Sequence, residues 1–476
     1  MLDDDGGTLR AVAWTEIFPW LKLFRCFRLA IRLRLLLLSA VAILLTFSGW
    51  SVLGFVFSRS GDAYIAKQIE PYQGCPWQAL TGLVPDKPCI PGLGASFGVQ
   101  GPSRPFFNAE TEADLPQLPR ESQGAALTGP APTSILTRAR APALGTEPFL
   151  GTWEQFSLPF VEMFRSDVTV TRLVFLLLCG LWALAIWAFF GGAITRVAAV
   201  ELAREERVGW GAMLHHARSK WRSYFGAPLL LLVFALPFAL GMGIVGICLW
   251  WNAGLFLAGL LLWPLMLVGG LVTTYLLVWL AFGWPLMWAT VSAEGEDSFD
   301  ALSRSREYVF QRPLHYLFYV LVAVLFGWLG WLVVSNFAAG VIASTHWAAD
   351  WGADTSRWLL GDDDAGGRQI DLLLAEEAEL GALGGVGAGL IHFWSACLKL
   401  LAVGFLYSYF WTASTCIYFL LRHDAQGTEM DEVFLDEEPD EPASGLPPLE
   451  TDEAGAPVVA DDTVPPGRNL DRSTEP

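Results

Sequence analysis

Lys399 is the only charged residue between Gly381 and Leu421, and a cation inside hydrocarbon costs about 3 kcal/mol, a cost that commonly marks function. Paired with His392 it is a candidate for an ion or substrate path. The mechanical alternative is a lysine at a helix mouth: Arg422 lies 23 residues further on, about 35 Å along a helix. If Arg422 marks one interface, Lys399 reaches the other and snorkels. Cys75 and Cys89 are the one cysteine pair outside apolar segments. In an oxidising exterior they would close a loop of about 15 residues, a cross-link worth about 3 kcal/mol; otherwise they are two ordinary thiols. No His or third Cys lies near enough to make them a metal site.

Other reactive groups are poorly arranged for chemistry. His215 and His216 are adjacent, so they point to different sides of a helix and make a poor metal pair. The carboxylates from Asp350 to Glu379 lack the alternation and glycine turn of a calcium loop. Gly94-Ala95-Ser96-Phe97-Gly98 matches G-x-S-x-G, but in a Pro- and Gly-rich stretch without the strand-to-helix turn that exposes a nucleophile. Neither G-x-x-x-x-G-K-[ST] nor H-E-x-x-H occurs. The expectation is no cofactor, no metal and no catalytic set.

What must hold these residues is a membrane. The 71 residues from Ser223 to Ala293 contain no Asp, Glu, Lys, Arg or His, whereas about 20 apolar residues cross a hydrocarbon core about 30 Å thick. Hydrophobic residues reach 53%, charged residues only 16%, and the 22 Trp suit helix anchoring at interfaces. The net charge of −18 is local: beyond Arg422 there are 16 Asp or Glu against two Arg, a net of −14. Without basic patches to neutralise phosphates, nucleic acid is excluded as a partner.

The pattern predicts an all-α integral membrane fold of about six transmembrane helices with cytoplasmic interfacial helices. Residues 1–34 form a basic amphipathic leader, in which Lys22, Arg25, Arg28 and Arg32 recur at helical spacing. The first span, 35–57, is too long for a cleaved signal core and has no Ala-x-Ala site after it, so it reads as a retained anchor. Residues 58–165 form a Pro- and Gly-rich exterior insertion. The remaining spans are 173–194, 228–250, 255–282, 314–334 and about 390–421, and 422–476 is an acidic, disordered tail. A straight helix from Leu255 to Ala293 would be about 60 Å long, so the fourth span is expected to be one long helix interrupted at Pro264, Gly269, Gly270, Gly283 or Pro285. Gly381, Gly385 and Gly389, four apart, offer a flat face for helix packing.

Arg204, Arg207, Arg218, Lys220 and Arg222 follow the second span. By the positive-inside rule they place that loop, both termini and the acidic tail in the cytoplasm. Each cation near an anionic headgroup is worth about 1 kcal/mol, so anionic lipids are the expected partners beside the bilayer itself. The tail could dock a basic protein or merely solubilise.

Trp210 to Pro228 and Ser298 to Pro313 loosely repeat one pattern, an amphipathic stretch ending in a proline at the mouth of a span. Pro285 to Arg306, with Glu294-Gly295, Ala301-Leu302 and Ser305, and the edge Ile417 to Arg422 followed by Asp424 and Gly427, resemble bacterial multi-pass proteins related to the membrane domain of glycerophosphodiester phosphodiesterases and to YciC-like proteins. The resemblance covers about residues 173–427. It implies a six-helix bacterial inner-membrane protein, and no phosphodiester hydrolysis, because the soluble catalytic domain with its His-Arg-Gly start has no counterpart here. The leading expectation is a non-enzymatic membrane scaffold or accessory protein. The alternatives are a permease with a path between the fourth and sixth spans, and then a lipid-modifying enzyme. Oligomeric state is left open.

Overall fold

The computed structural model describes residues 18–62, 65, 148–163, 168–360, 377–428 and 431–434. Cys75, Cys89, the Gly94 to Gly98 match and the chain from 435 onward lie outside them. Among the described residues there are eleven α-helices and no strand. A 3-10 turn, Pro19–Lys22, enters α1 (Leu23–Ala30) and α2 (Leu33–Phe57); α3 (Pro148–Glu162), α4 (Val170–Ala203), α5 (Trp210–Ser219) and α6 (Trp221–Cys248) follow. The chain continues through α7 (Asn252–Leu257), α8 (Trp263–Glu294), α9 (Ser298–Gln311), α10 (Pro313–Leu360) and α11 (Glu377–Gln426). Six segments are long and apolar enough to cross a membrane: Leu33–Phe57, Val170–Ala203, Trp221–Ile247, Gly254–Glu294, Pro313–Ala349 and Phe393–Gln426.

The elements differ from the sequence reading in three places. The fourth span carries a π turn at Ala258–Leu262, between α7 and α8, at a place the sequence pattern does not mark, and Pro285 lies inside α8. Pro264 sits just after that turn, and its missing N–H interrupts the helical ladder where the π turn falls. The fifth span does not stop at residue 334: α10 runs on to Leu360, because Phe337 to Ile342 offers neither a proline nor an adjacent glycine pair to break it. Finally, Pro148–Glu162 is no part of a polar loop. Phe149, Thr152, Trp153 and Phe156 recur at helical spacing, and α3 lays that stripe on α4, α10 and α11.

The loose repeat has a third member. Short helices α1, α5 and α9 each precede an outer long helix, α2, α6 or α10, which then pairs with an inner long helix, α4, α8 or α11. Each inner helix also packs on a short one in cyclic order: α4 on α5, α8 on α9, α11 on α1. The short helices bury equivalent positions three apart, Leu23 and Cys26, Met213 and His216, Leu302 and Ser305. The three inner helices all pack on one another, so the short helices form a collar around the ends of a central trio.

Lipid tails are as apolar as leucine, so contact density rather than water avoidance holds such helices together. The trio meets through rings. Trp288 of α8 stacks on Trp411 of α11 with centroids 4.3 Å apart, and Trp187 of α4 stacks on Tyr407 at 4.7 Å. Gly191 lets the trio close, since a Cβ there would come within 2.6 Å of Trp288. From the far side α3 inserts Phe156 against Trp187, Trp284, Tyr407, Phe410 and Trp411. In contrast, α6 and α8 below the collar pack chiefly on each other, leaving residues such as Leu240, Ile244, Leu265 and Leu271 exposed.

A one-sided collar has a direct test. Cysteines placed at exposed Arg28, Arg218 and Ser303 are expected to react with an impermeant reagent from one side only, above the background of the native thiols, and Trp351→Cys from the opposite side. Labelling of Ser303→Cys from the Trp351 side would remove the collar and the six-span count together.

Candidate functional site

The densest group of polar side chains lies in the collar, where helices end and their carbonyls lose helical partners. It forms because the inner helices carry small and polar residues there: Thr195, Thr290, Ser292, Ser408, Thr412 and Thr415 are all buried. Ser292 donates to Thr195 Oγ1 at 2.6 Å, and Thr195 donates to the Gly192 carbonyl at 3.0 Å. Ser292 has only one proton, so the Tyr224 hydroxyl, 2.7 Å away, must donate to it. Tyr224 in turn takes its bond from His216 Nε2 at 3.1 Å, which assigns the Nε2–H tautomer. This chain runs from His216 to a backbone carbonyl and ties α4, α5, α6 and α8 together.

Two carboxylates anchor the charges. Glu294, the last residue of α8, accepts from Tyr418 at 2.5 Å and pairs with Arg304 of α9 at 2.7 Å and Arg422 of α11 at 3.5 Å. Burial, and then the Glu294 charge, push the neighbouring Tyr308 hydroxyl above its usual range. Glu201, buried at the end of α4, pairs with Arg32 and Arg34, and Arg34 also donates to the Val208 carbonyl at 2.5 Å. Gly295 ends α8 with φ of 68°, the left-handed cap that glycine adopts without strain. Phe434 returns to this point. Its N–H donates to the Ala293 carbonyl at 2.8 Å, and Arg196 donates to the Phe434 carbonyl at 2.7 Å and to the Ser292 carbonyl at 2.8 Å. A Cβ on Gly295 would come within 2.4 Å of the Phe434 ring.

The structure separates the sequence candidates. Arg204, Arg207, Arg218 and Arg222 are exposed around α5. Lys220 is turned inward: it donates to the Gly295 carbonyl at 2.5 Å, placing a cation at the α8 C-terminus. His215 is exposed while His216 is fully buried, so the two do face different ways. Lys399 is half-buried on α11, 12 residues before Trp411, about 18 Å along the helix from the aromatic junction. His392 lies on the same helix, and its side chain is outside the description. Gly381, Gly385 and Gly389 occupy helical turns of α11 whose packing also falls outside it.

Between α8 and α11, where a path would run, Trp284 and Trp288 lie against Phe410 and Trp411. A void beside Phe156 and Trp187 holds about 20 Å³, room for about one water. No group of three or more metal-ligating side chains is present among the described residues. Arg196, Glu201 and the Val433 to Phe434 strap escape a reading of the sequence, because single charges beside spans look like topology signals. Glu294-Gly295 was visible only through the family resemblance. Comparison of the chain with family models, curated proteins and solved structures finds no match.

Neutralising Glu294 tests the collar. Glu294→Gln keeps the shape but leaves Arg304 and Arg422 without their shared carboxylate, and thermal or denaturant unfolding in detergent is expected to show a loss of about 2 kcal/mol or more. Glu206→Gln, at an exposed position, is expected to change stability by less than about 0.5 kcal/mol.

Proposed function

We propose that this chain is a multi-pass protein of a bacterial cytoplasmic membrane, with both termini in the cytoplasm, that acts as a non-enzymatic scaffold or accessory protein. Its membrane partners are anionic headgroups held by Arg204, Arg207, Arg218 and Arg222, and its acidic tail offers a docking segment to a basic protein. The resemblance to YciC-like proteins and the glycerophosphodiester phosphodiesterase membrane domain fits this assignment. The observation that carries it is the aromatic junction of α4, α8 and α11. Stacked Trp288 and Trp411 fill the place where a permease would need a polar passage, and the Tyr224, Ser292 and Tyr418 hydroxyls are engaged in bonds between helices. A protein whose charged groups knit helix ends while its surface presents cations is built to hold a shape at the membrane.

Transport decides between this reading and a permease. Purified protein reconstituted into vesicles is expected to leave the flux of ions and small solutes at the level of protein-free vesicles, for wild type and Lys399→Ala alike. Flux that appears with wild type and disappears with Lys399→Ala would transfer the assignment to a permease.

A further inference from the structure

Helix α9 folds back along α8. Trp279 Nε1 donates to Ser305 Oγ at 3.1 Å, and one turn away Tyr275 stacks on Phe310 with ring centroids 4.8 Å apart and planes 19° from parallel. Beside the stack lies an open surface groove of about 300 Å³ lined by Tyr275, Ser303, Arg306, Glu307, Phe310 and Gln311. That volume is at the lower end of small-molecule sites, of which about 300 Å³ is the usual minimum.

Its depth is readable from α8. From Trp251, exposed at the turn between α6 and α7, to Tyr275 is about 24 residues, or about 36 Å. This is close to a hydrocarbon core of about 30 Å. Between them Leu267, Val268 and Leu271 are exposed, so a greasy face leads from the groove toward the far interface. The groove therefore lies about one hydrocarbon thickness along α7 and α8 from Trp251.

Its charges are available. Arg304, on the same helix, is consumed by Glu294, whereas neither Arg306 nor Glu307 makes an ion pair among the described residues. An anionic lipid would use Arg306 and be repelled by Glu307; a ligand carrying both signs uses both.

We infer that this groove binds a phosphate ester bearing a primary ammonium, in the form of an aminophospholipid headgroup whose acyl chains lie along α8. Arg306 and Gln311 donate to the phosphate, Glu307 accepts from the ammonium, and the Tyr275 and Phe310 rings wall the site. The site rests on the membrane residence of the fold and not on the scaffold reading, so flux in vesicles would leave it standing.

The test counts lipids by native mass spectrometry on full-length protein equilibrated in detergent with equal phosphatidylethanolamine and phosphatidylglycerol. Arg306→Gln is expected to lower retained phosphatidylethanolamine about tenfold, as loss of one charge-assisted contact implies. Glu307→Gln is expected to shift retention from phosphatidylethanolamine to phosphatidylglycerol, and Glu206→Gln, at an exposed position outside the site, to leave phosphatidylethanolamine unchanged. Both site substitutions fall on the outward side of α9, away from its buried Leu302, Ser305 and Tyr308, and an unchanged melting temperature checks that they fold. Retention that neither substitution alters overturns the site. Displacement of the lipid by soluble phosphoethanolamine at millimolar concentration would overturn the lipid assignment in favour of a small soluble ester.

Discussion

The rest of the structure depends on the flat contact of Trp288 with Trp411 above Gly191. Indole rings at 4.3 Å and 9° from parallel bring two helices together only if a third leaves room, and Gly191 supplies that room. Inter-helix contact in a membrane gains little from expelling water, so large flat surfaces in close register are the available means of fixing three helices at one point. Once α4, α8 and α11 are pinned there, their ends must emerge close together, and a charge buried on those ends has to find a partner among the others.

That requirement accounts for the collar. A carboxylate at the end of α8 sits at the unfavourable pole of the helix dipole, and alone it would cost stability there. Glu294 is tolerated because Arg304, Arg422 and the Tyr418 hydroxyl converge on it. Glu201 repeats the arrangement at the end of α4 with Arg32 and Arg34. Buried ion pairs seldom add net stability over apolar packing, but they penalise wrong registers. Here each pair joins different elements, α4 to the α1–α2 junction and α8 to its neighbour α9 and to the distant α11, so a helix displaced by one turn would leave an orphaned charge. The Phe434 strap adds the last constraint by laying a backbone amide and carbonyl across the ends of α8 and α4.

Six spans, their approximate centres and the basic surface around α5 were legible in the sequence because hydropathy and charge act locally. The ends were not. Residues 337–349 carry α10 onward because nothing stops the helix, and a reading keyed to bilayer thickness halts it too early. Helix α3 was hidden by the proline- and glycine-rich stretch before it, although Phe149, Trp153 and Phe156 keep helical spacing. The two-member repeat was legible from prolines and aromatics, whereas the third member, α1 with α2, was masked as a basic leader. Lys220 looked like its neighbours Arg218 and Arg222, and only the position of the Gly295 carbonyl distinguishes it.

The charge-free run from Ser223 to Ala293 shows why composition stops short of architecture. Its first turns, with Ser223, Tyr224 and Ala227, and its last, from Gly283 to Ala293, are buried against other helices. Its middle, from Val233 to Phe282, is largely exposed along α6, α7 and α8. The same absence of charge thus serves two solvents, protein at the collar and lipid beyond it. Leu and Trp satisfy both, so hydropathy cannot divide the run. Serine does better, because inter-helix hydrogen bonds need hydroxyls: the run's two serines, Ser223 and Ser292, both lie in the buried parts, beside Tyr224 and Thr290. A helix hairpin solvated by lipid needs only length and greasiness. The part that defines this protein is where those residues give way to hydroxyls and paired charges.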